Sequence, residues 1–267
     1  MIYFYIVLLN TFVLIPLGIK WEIKLKIVIA WTILVSFLGC LCANILQNTF
    51  LGLSLKIITL IAFLQGVALT AAVLLFFFYR DPDRVSPNEE RTILSPADGT
   101  IVYVKNIHNG IFPFSLKAGR EIPLKEFTDD VLIKDRGIQI GISMNFLNVH
   151  VNRAPIGGKV TLIRRIHGGF SSLKNITSLL ENERVLTVIH NGSFQLGVVQ
   201  IASRLVRRIT SYVHAGETVQ RGQRIGMIRF GSQVDVLIPA VEGLVVEVAK
   251  GEDVKAGVTT LARHQPH

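Results

Sequence analysis

The chain has little cysteine for its length. Its 267 residues include only two cysteines, Cys40 and Cys42, and both lie inside one apolar run. A disulfide framework or a structural zinc site needs several cysteines at characteristic spacings. We therefore interpret both residues as packing residues, and we predict neither a disulfide framework nor a metal site.

Charge is absent from three stretches near the N-terminus, residues 1–19, 27–55 and 57–78. A helix of about 20 apolar residues spans a bilayer, so the second and third stretches are long enough and the first is borderline. The first stretch lacks the positively charged start and the cleavage site of a signal peptide, which favours a retained membrane segment. Two spans, with the first stretch lying in the interface, are the alternative.

The basic residues around these stretches predict an orientation. Three lysines lie between the first and second stretches, but only Lys56 lies between the second and third, and Arg80 and Arg84 follow the third. Cytoplasmic loops collect Lys and Arg. With three spans, the N-terminus is outside the cell, and residues 80–267 face the cytoplasm from the cell (inner) membrane.

The whole chain has a formal net charge of +9, and the part from residue 80 onward is basic as well. Such a charge suits nucleic acid or an anionic membrane surface. No basic motif with interleaved aromatic residues indicates nucleic acid. The membrane tether makes anionic lipid the expected partner, and we predict no nucleic-acid binding.

From residue 93 onward, short runs rich in Val and Ile alternate with Gly, Asn and Asp. This spacing is typical of a mostly-β fold. Strands are predicted at "GTIVYV", "GIQIGISM", "NVHVN", "KVTLIRRI", "VLTVIH", "LGVVQIA", "RIGMIRF", "VDVLIP" and "GLVVEVA". Helices are predicted at 171–183 and 203–209. The predicted architecture is thus a membrane part, 1–79, followed by a β-rich domain, 80–267.

An internal repeat supports a particular kind of β domain. "VHAGETVQRG" at 213–222 aligns with "VAKGEDVKAG" at 248–257, 35 residues further on. Two equivalent hairpin turns are typical of the barrel-sandwich halves of lipoyl and biotinyl carrier domains. Those carriers place a modifiable lysine between the halves, where this chain has Gly231 and Ser232. The difference makes Ser232 a candidate for chemistry.

A reactive serine needs a base, and the base needs a partner that orients it. Strand alternation in "LNVHVNRAP" places His150 on one face together with Asn148 and Asn152. Asp98 precedes a strand in "SPADGT". Each residue also fits an ordinary structural role, because Gly-Ser and Asp-Gly are common turn pairs and surface-strand histidines are frequent.

From Phe78 onward the chain resembles the short, membrane-bound phosphatidylserine decarboxylases, which depend on a pyruvoyl group. The resemblance rests on several motifs in order: "FYRDPDR", "SPADGTI", "NVHVNRAP", "ENER", "GVVQIASRLVRRI", "RGQRIGMIRFGSQVDVLIP" and "GEDVKAG".

The resemblance implies a proenzyme that cuts itself between Gly231 and Ser232. Ser232 attacks the Gly231 carbonyl in an N-to-O acyl shift, with His150 as base and Asp98 orienting it. β-Elimination and loss of ammonia then convert Ser232 into a pyruvoyl group. The products are a large chain, 1–231, and a small chain, 232–267.

The implied activity is decarboxylation of phosphatidylserine to phosphatidylethanolamine and CO2 through a Schiff base to this pyruvoyl group. Candidates for binding the headgroup phosphate are the arginines Arg153, Arg204, Arg207 and Arg208, because Arg binds phosphate with two donors. A solvated basic face is the alternative for the last three. Larger family members have a histidine where this chain has Leu147, which leaves the proton donor after decarboxylation open.

Two other functions are open to a chain of this pattern. A membrane-fusion adaptor also joins an N-terminal span to a lipoyl-like domain, but it has a long helical hairpin, and no sustained heptads occur here. A membrane-anchored serine hydrolase would use Ser232 directly. The oligomeric state is left open, and a homo-oligomer is compatible with the sequence.

Overall fold

A computed structural model describes most of the chain: residues 1–21, 23–50, 52–89, 91–108, 115–117, 120–122, 136–166, 183–202, 208–229 and 232–264. The chain divides into two units. The helical unit comprises residues 1–80 and 145–147, and the β unit comprises residues 81–144 and 148–267.

The helical unit contains three helices, α1 (Ile2–Lys20), α2 (Leu25–Thr49) and α3 (Leu55–Tyr79). Each is long and apolar enough to cross a membrane, and the three helices confirm the prediction of apolar N-terminal helices. A helix satisfies its own backbone polar groups, as a bilayer interior requires. Small residues at the helix contacts, such as Gly18 against Val28, let the backbones approach closely.

The β unit confirms the predicted mostly-β fold. Its described strands are β1 (Thr92–Leu94), β2 (Gly99–His108), β3 (Ser115–Lys117), β4 (Arg120–Ile122), β5 (Arg136–Met144), β6 (Val151–Arg153), β7 (Gly158–Ile166), β8 (Arg184–His190), β9 (Gln195–Ile201), β10 (Arg208–Ser211), β11 (Thr218–Val219), β12 (Arg224–Arg229), β13 (Ser232–Pro239), β14 (Leu244–Val246), β15 (Asp253–Val254) and β16 (Thr260–His264).

These strands form antiparallel sheets. The largest has eight strands in the order β11-β7-β8-β9-β13-β5-β2-β15. Two three-stranded sheets, β1-β16-β14 and β10-β12-β6, and the hairpin β3-β4 complete the described part. The strand β13 lies in the middle of the large sheet, and hydrophobic clusters cover both of its faces. Val234 and Val236 pack in one cluster and Leu237 packs in the other.

The internal repeat is a structural repeat, and it is longer than the sequence predicts. The matched glycines Gly216 and Gly251 have φ angles of 94° and 96°. The repeat turns pair with β7 and β2 near opposite edges of the large sheet. Ahead of these two strands, the turns at 95–98 and 154–157 are also equivalent, because Ser95 and Ala154 each accept a backbone hydrogen bond from a repeat turn.

Some local predictions need correction. The strand predicted over 148–152 is β6, which is shorter and begins at Val151. Val149 and His150 are both buried, so the alternation does not separate a solvent face from a core face there. The helix predicted at 203–209 is wrong at its end, because Arg208 begins β10 and pairs with β12. Its first five residues, and nearly all of the helix predicted at 171–183, lie outside the described residues.

A buried polar cluster crosses the middle of the large sheet next to the start of β13. The Asp235 carboxylate accepts hydrogen bonds from the Tyr103 hydroxyl at 2.8 and 2.9 Å, from Gln139 at 2.7 Å and from Gln233 at 2.9 Å. Gly141 provides the space for the ring, since a Cβ there would lie 2.4 Å from Tyr103. Buried polar groups that hydrogen-bond to one another across strands favour the one strand register in which they meet.

Replacing Tyr103 by Phe tests this cluster. The change removes a donor to Asp235 and an acceptor for Gln233, so we expect the β unit to lose about 1–3 kcal/mol of stability. Hydrogen exchange of β5 and β13 in urea, measured by mass spectrometry, checks this. The half-exposed Tyr212, changed to Phe, is the control, with an expected effect within about 0.5 kcal/mol. Equal effects of the two changes would contradict a stabilising role for the cluster.

Candidate active site

Ser232 begins β13 at the point where the chain passes from one sheet to another. The preceding strand, β12, belongs to the sheet β10-β12-β6, whereas β13 belongs to the eight-stranded sheet. Gly231 lies outside the described residues, and of Ser232 only the backbone is described. The backbone of Ser232 is in register with Met144, the last residue of β5.

Asp98 and Ser232 belong to the same end of the large sheet. Gly99 begins β2, Met144 ends β5 and Ser232 begins β13, and these three strands are consecutive neighbours. Adjacent strands lie about 4.8 Å apart, so the three strand ends lie side by side. Only glycine fits at position 99, since a Cβ there would lie 2.1 Å from the Ser143 carbonyl oxygen.

His150 lies directly before β6 and is completely buried. Its Nδ1 lies 2.8 Å from the carbonyl oxygen of Asn148. A carbonyl only accepts hydrogen bonds, so Nδ1 carries the proton and, in the neutral ring, Nε2 is the basic nitrogen. The His150 carbonyl accepts from the amide of Ile228, which attaches this histidine to β12 shortly before the Gly231–Ser232 bond.

Asn152 connects the His150 segment to both of the other candidate positions. Its amide nitrogen lies 3.4 Å from the carbonyl oxygen of Pro96, in the turn that carries Asp98, and 4.0 Å from the sulfur of Met144. Its Oδ1 accepts from Gln200 at 2.8 Å. The three candidates Asp98, His150 and Ser232 are therefore brought to one region of the β unit by separate contacts.

Asp98 is buried, and its hydrogen-bond partners differ from the expected one. Arg84 donates from both terminal nitrogens, at 2.5 and 2.9 Å, and the backbone amide of Ala256 donates at 2.8 Å. Among the residues that the structure describes, no hydrogen bond joins Asp98 to His150. Arg84 lies in the "FYRDPDR" motif, but nothing in that motif alone indicates which carboxylate it binds.

The four arginines considered for phosphate binding have different surroundings. Arg153 is buried, and its guanidinium donates to the carbonyl oxygens of Gly222 and Pro82, each at 3.0 Å. Burial lowers the pKa of Arg153, and the positive charge of Arg224 lowers it further. Arg208 is exposed at the start of β10. Arg204 and Arg207 lie outside the described residues.

Leu147, the position at which the resemblance implies a histidine in larger family members, belongs to the helical unit. Its carbonyl oxygen accepts a hydrogen bond from Arg80 at 2.9 Å. Its side chain lines an apolar cavity of about 330 Å³ together with Trp21 and with side chains of all three helices, including Phe77. An aliphatic side chain suits these surroundings, and it offers no group for proton transfer.

Comparison with known proteins assigns a family to most of the chain. A model of the family described as phosphatidylserine decarboxylase matches residues 72–262. A putative archaetidylserine decarboxylase proenzyme from Methanocaldococcus jannaschii is 43% identical over 198 residues, covering 72% of this chain and 91% of the relative.

Bacterial relatives are similar over the same region. A phosphatidylserine decarboxylase proenzyme from Azorhizobium caulinodans is 38% identical over 210 residues, covering 79% of this chain and 82% of the relative. A protein of the same name from Chlorobium limicola is 38% identical over 202 residues, covering 74% and 84%. These similarities give no support to a membrane-fusion adaptor or a serine hydrolase.

Proposed function

The chain belongs to the phosphatidylserine decarboxylase family, and we propose that it generates its own reactive group by breaking the bond between Gly231 and Ser232. It is a carboxy-lyase that converts phosphatidylserine to phosphatidylethanolamine and CO2. The observation that carries the proposal of self-cleavage is the position of Ser232. It begins a central strand where the chain changes sheets, next to the segment that holds a buried histidine.

Strand pairing on both sides of the bond supports a cut at this position. β12 pairs with β10 and β6, and β13 pairs with β5 and β9. After a break, each new end keeps two neighbouring strands, so the large chain, 1–231, and the small chain, 232–267, stay assembled. A break in a long exposed loop would not retain the new terminus in this way.

The self-cleavage uses groups of the chain itself. Ser232 Oγ attacks the carbonyl carbon of Gly231 while Nε2 of His150 accepts the hydroxyl proton, and the amide nitrogen leaves as the amine of residue 232. The product is an ester. Loss of the Cα proton of residue 232 then breaks the Cβ–Oγ bond and releases the Gly231 carboxylate. Water replaces the nitrogen of the resulting dehydroalanine, ammonia leaves, and a pyruvoyl group remains.

The surroundings of residue 232 fit such a group. When formed, a pyruvoyl carbonyl supplies the electron acceptor for decarboxylation, in the way that other carbonyl cofactors do. The chain contributes position and desolvation. β13 holds residue 232 at the sheet end, and the buried side chains of Met144 and His150 lie in the strand end and segment next to it. Excluding water there favours conversion of a charged carboxylate into neutral CO2.

We propose that basic residues facing the cytoplasm bind the phosphate of the lipid headgroup. Arg208 is an exposed candidate, and Arg204 and Arg207 precede it in the chain. Arg153 is the weaker candidate, because it is buried and its two terminal nitrogens already bind protein oxygens. Lys20, Lys24 and Lys26, which lie where α1 ends and α2 begins, support the cytoplasmic orientation of the β unit by the distribution of positive charge.

A second substrate is supported by the archaeal relative. Its name assigns it to archaetidylserine, which shares the serine headgroup with phosphatidylserine. We propose that this chain recognises the serine headgroup and accepts more than one lipid backbone. The chemistry acts on the amine and carboxylate of the serine, and neither belongs to the backbone.

Changing Ser232 to Ala tests self-cleavage. Without the hydroxyl no ester forms, so we expect the purified protein to remain one chain with no decarboxylase activity. Intact mass and trapping with borohydride check this, and wild type should give a small fragment with a trappable carbonyl. The exposed turn residue Ser193, changed to Ala, is the matched control and should be cut normally. An uncut wild-type protein that retains activity would contradict the proposal.

Changing Asp98 to Asn tests the carboxylate. We propose that its negative charge stabilises His150 when the imidazole takes the serine proton, so cutting should slow by about 100-fold or more. The measurement is the fraction of uncut chain against time after synthesis. The exposed Asp83, changed to Asn, is the control and should be cut at nearly the wild-type rate. A wild-type rate of cutting in the Asp98 variant would contradict this role of the Asp98 carboxylate.

Substrate choice is tested by CO2 release in mixed micelles that contain either phosphatidylserine or archaetidylserine. Headgroup recognition predicts kcat/KM values for the two lipids within about tenfold, because the reacting atoms are the same. Activity on only one of them would show that the lipid backbone contributes to specificity. Phosphatidylcholine, which has no serine carboxylate, is the negative control.

A further inference from the structure

We propose that Arg84 is a positioning residue for self-cleavage, which it serves by orienting the Asp98 carboxylate. This inference rests on the proposed function, since it concerns the same reaction. Arg84 forms a two-pronged ion pair with Asp98, and the side chains of the two residues are only 10% and 9% exposed. Such paired, parallel hydrogen bonds fix the plane of a carboxylate as well as its position.

The backbone of Ala256 hydrogen-bonds to both members of the ion pair. The same Arg84 nitrogen that binds Asp98 also donates to the Ala256 carbonyl oxygen at 2.8 Å, and the Ala256 amide donates to Asp98 Oδ1 at 2.8 Å. Oδ1 thus accepts two hydrogen bonds. Oδ2 accepts one, from Arg84, within the part of the chain that the structure describes. A carboxylate oxygen accepts two hydrogen bonds readily, so Oδ2 has capacity for a further donor.

The fold itself does not require the ion pair. The turn at 154–157 is equivalent to the turn at 95–98, and it has Gly157 at the position of Asp98. Gly158 and Gly99 follow with the same φ of 153°, and each pairs with a valine of its repeat turn. One half of the repeat therefore forms this turn without a carboxylate at the position of Asp98. Asp98 and Arg84 are an addition to the repeat at the candidate active site.

The position of Arg84 is set by a segment that has other attachments. This segment, residues 81–89, is called the strap below. Asp81 and Asp83 both bind Arg224. The hydrogen bond from Arg224 to Asp83 lowers the pKa of Asp83. Ser86 donates to the Gly257 carbonyl oxygen at 2.8 Å, and Arg221 binds the carbonyl oxygens of Pro87 and Glu89. Removing the Arg84 guanidinium thus leaves the strap attached on both sides.

These contacts distinguish a positioning role from a purely structural one. Arg84 and Arg224 both attach the strap to the rest of the β unit, but only Arg84 binds Asp98. A variant at Arg224 loses strap contacts without changing the partners of Asp98. It is therefore the matched control for a variant at Arg84.

The experiment compares Arg84→Gln, Arg84→Lys and Arg224→Gln by the rate of self-cleavage. We expect Arg84→Gln to cut about 10- to 100-fold more slowly than wild type, because a misplaced catalytic group loses that much rate. Arg84→Lys should be intermediate, since lysine keeps the charge but not the planar pair of donors. Arg224→Gln should cut at nearly the wild-type rate.

A double variant adds a readout that general destabilisation would not produce. If Arg84 acts through Asp98, Arg84→Gln in an Asp98→Asn background should slow cutting no further than Asp98→Asn alone. Multiplication of the two effects would overturn the proposal, as would equal slowing by Arg224→Gln or a wild-type rate for Arg84→Gln. If the glutamine variant does not fold, Arg84→Lys replaces it in the same comparison.

The outcomes also separate this inference from the proposed function. An uncut wild-type chain would contradict the proposal of self-cleavage itself, whatever the rates of the variants. A wild-type chain that is cut, together with an Arg84→Gln variant that is cut equally fast, would remove only the role of Arg84.

Discussion

The central constraint on this protein is the fixed position of β13, because the proposed self-cleavage requires this strand to remain in place while the bond before it breaks. β13 pairs with β5 over its whole length and with β9 from Gln233 to Leu237, and its apolar side chains are buried on both faces of the sheet. Backbone hydrogen bonds and apolar burial therefore hold residue 232, independently of its covalent link to β12. In the proposed reaction, a reactive group formed at residue 232 keeps its position because the sheet fixes its strand.

Around this strand, the β unit is a symmetric repeat with an asymmetric addition. The two repeat turns and the two turns before β2 and β7 follow the same backbone path. Asp98 occurs in one half only, since the other half has Gly157 at that position, and the strap binds residues near both repeat turns. The repeat provides a stable sheet, and the added charged residues occupy the end of that sheet where Ser232 begins its strand. In the proposed reaction, stability and chemistry therefore come from different residues.

Much of the fold could be predicted because its signals are local. The uncharged stretches predicted the helices, and the Val- and Ile-rich runs predicted most of the long strands within one or two residues. The irregular segment before β6 was predicted less well, since His150 and Val149 are both buried there and alternation carries no information. The equivalence of the turns at 95–98 and 154–157 was missed because Asp98 and Gly157 differ and the matching contacts are in the backbone.

The sequence by itself determined the apolar helices, the β-rich domain, the repeat and the candidate residues Asp98, His150 and Ser232. These follow from residue type and from neighbours along the chain. Only the tertiary structure decided which groups meet. Arg84 binds Asp98 across 14 residues and Ala256 across 172, and no local pattern encodes such contacts. They depend on strand order and register, which arise only when distant segments pack into common sheets.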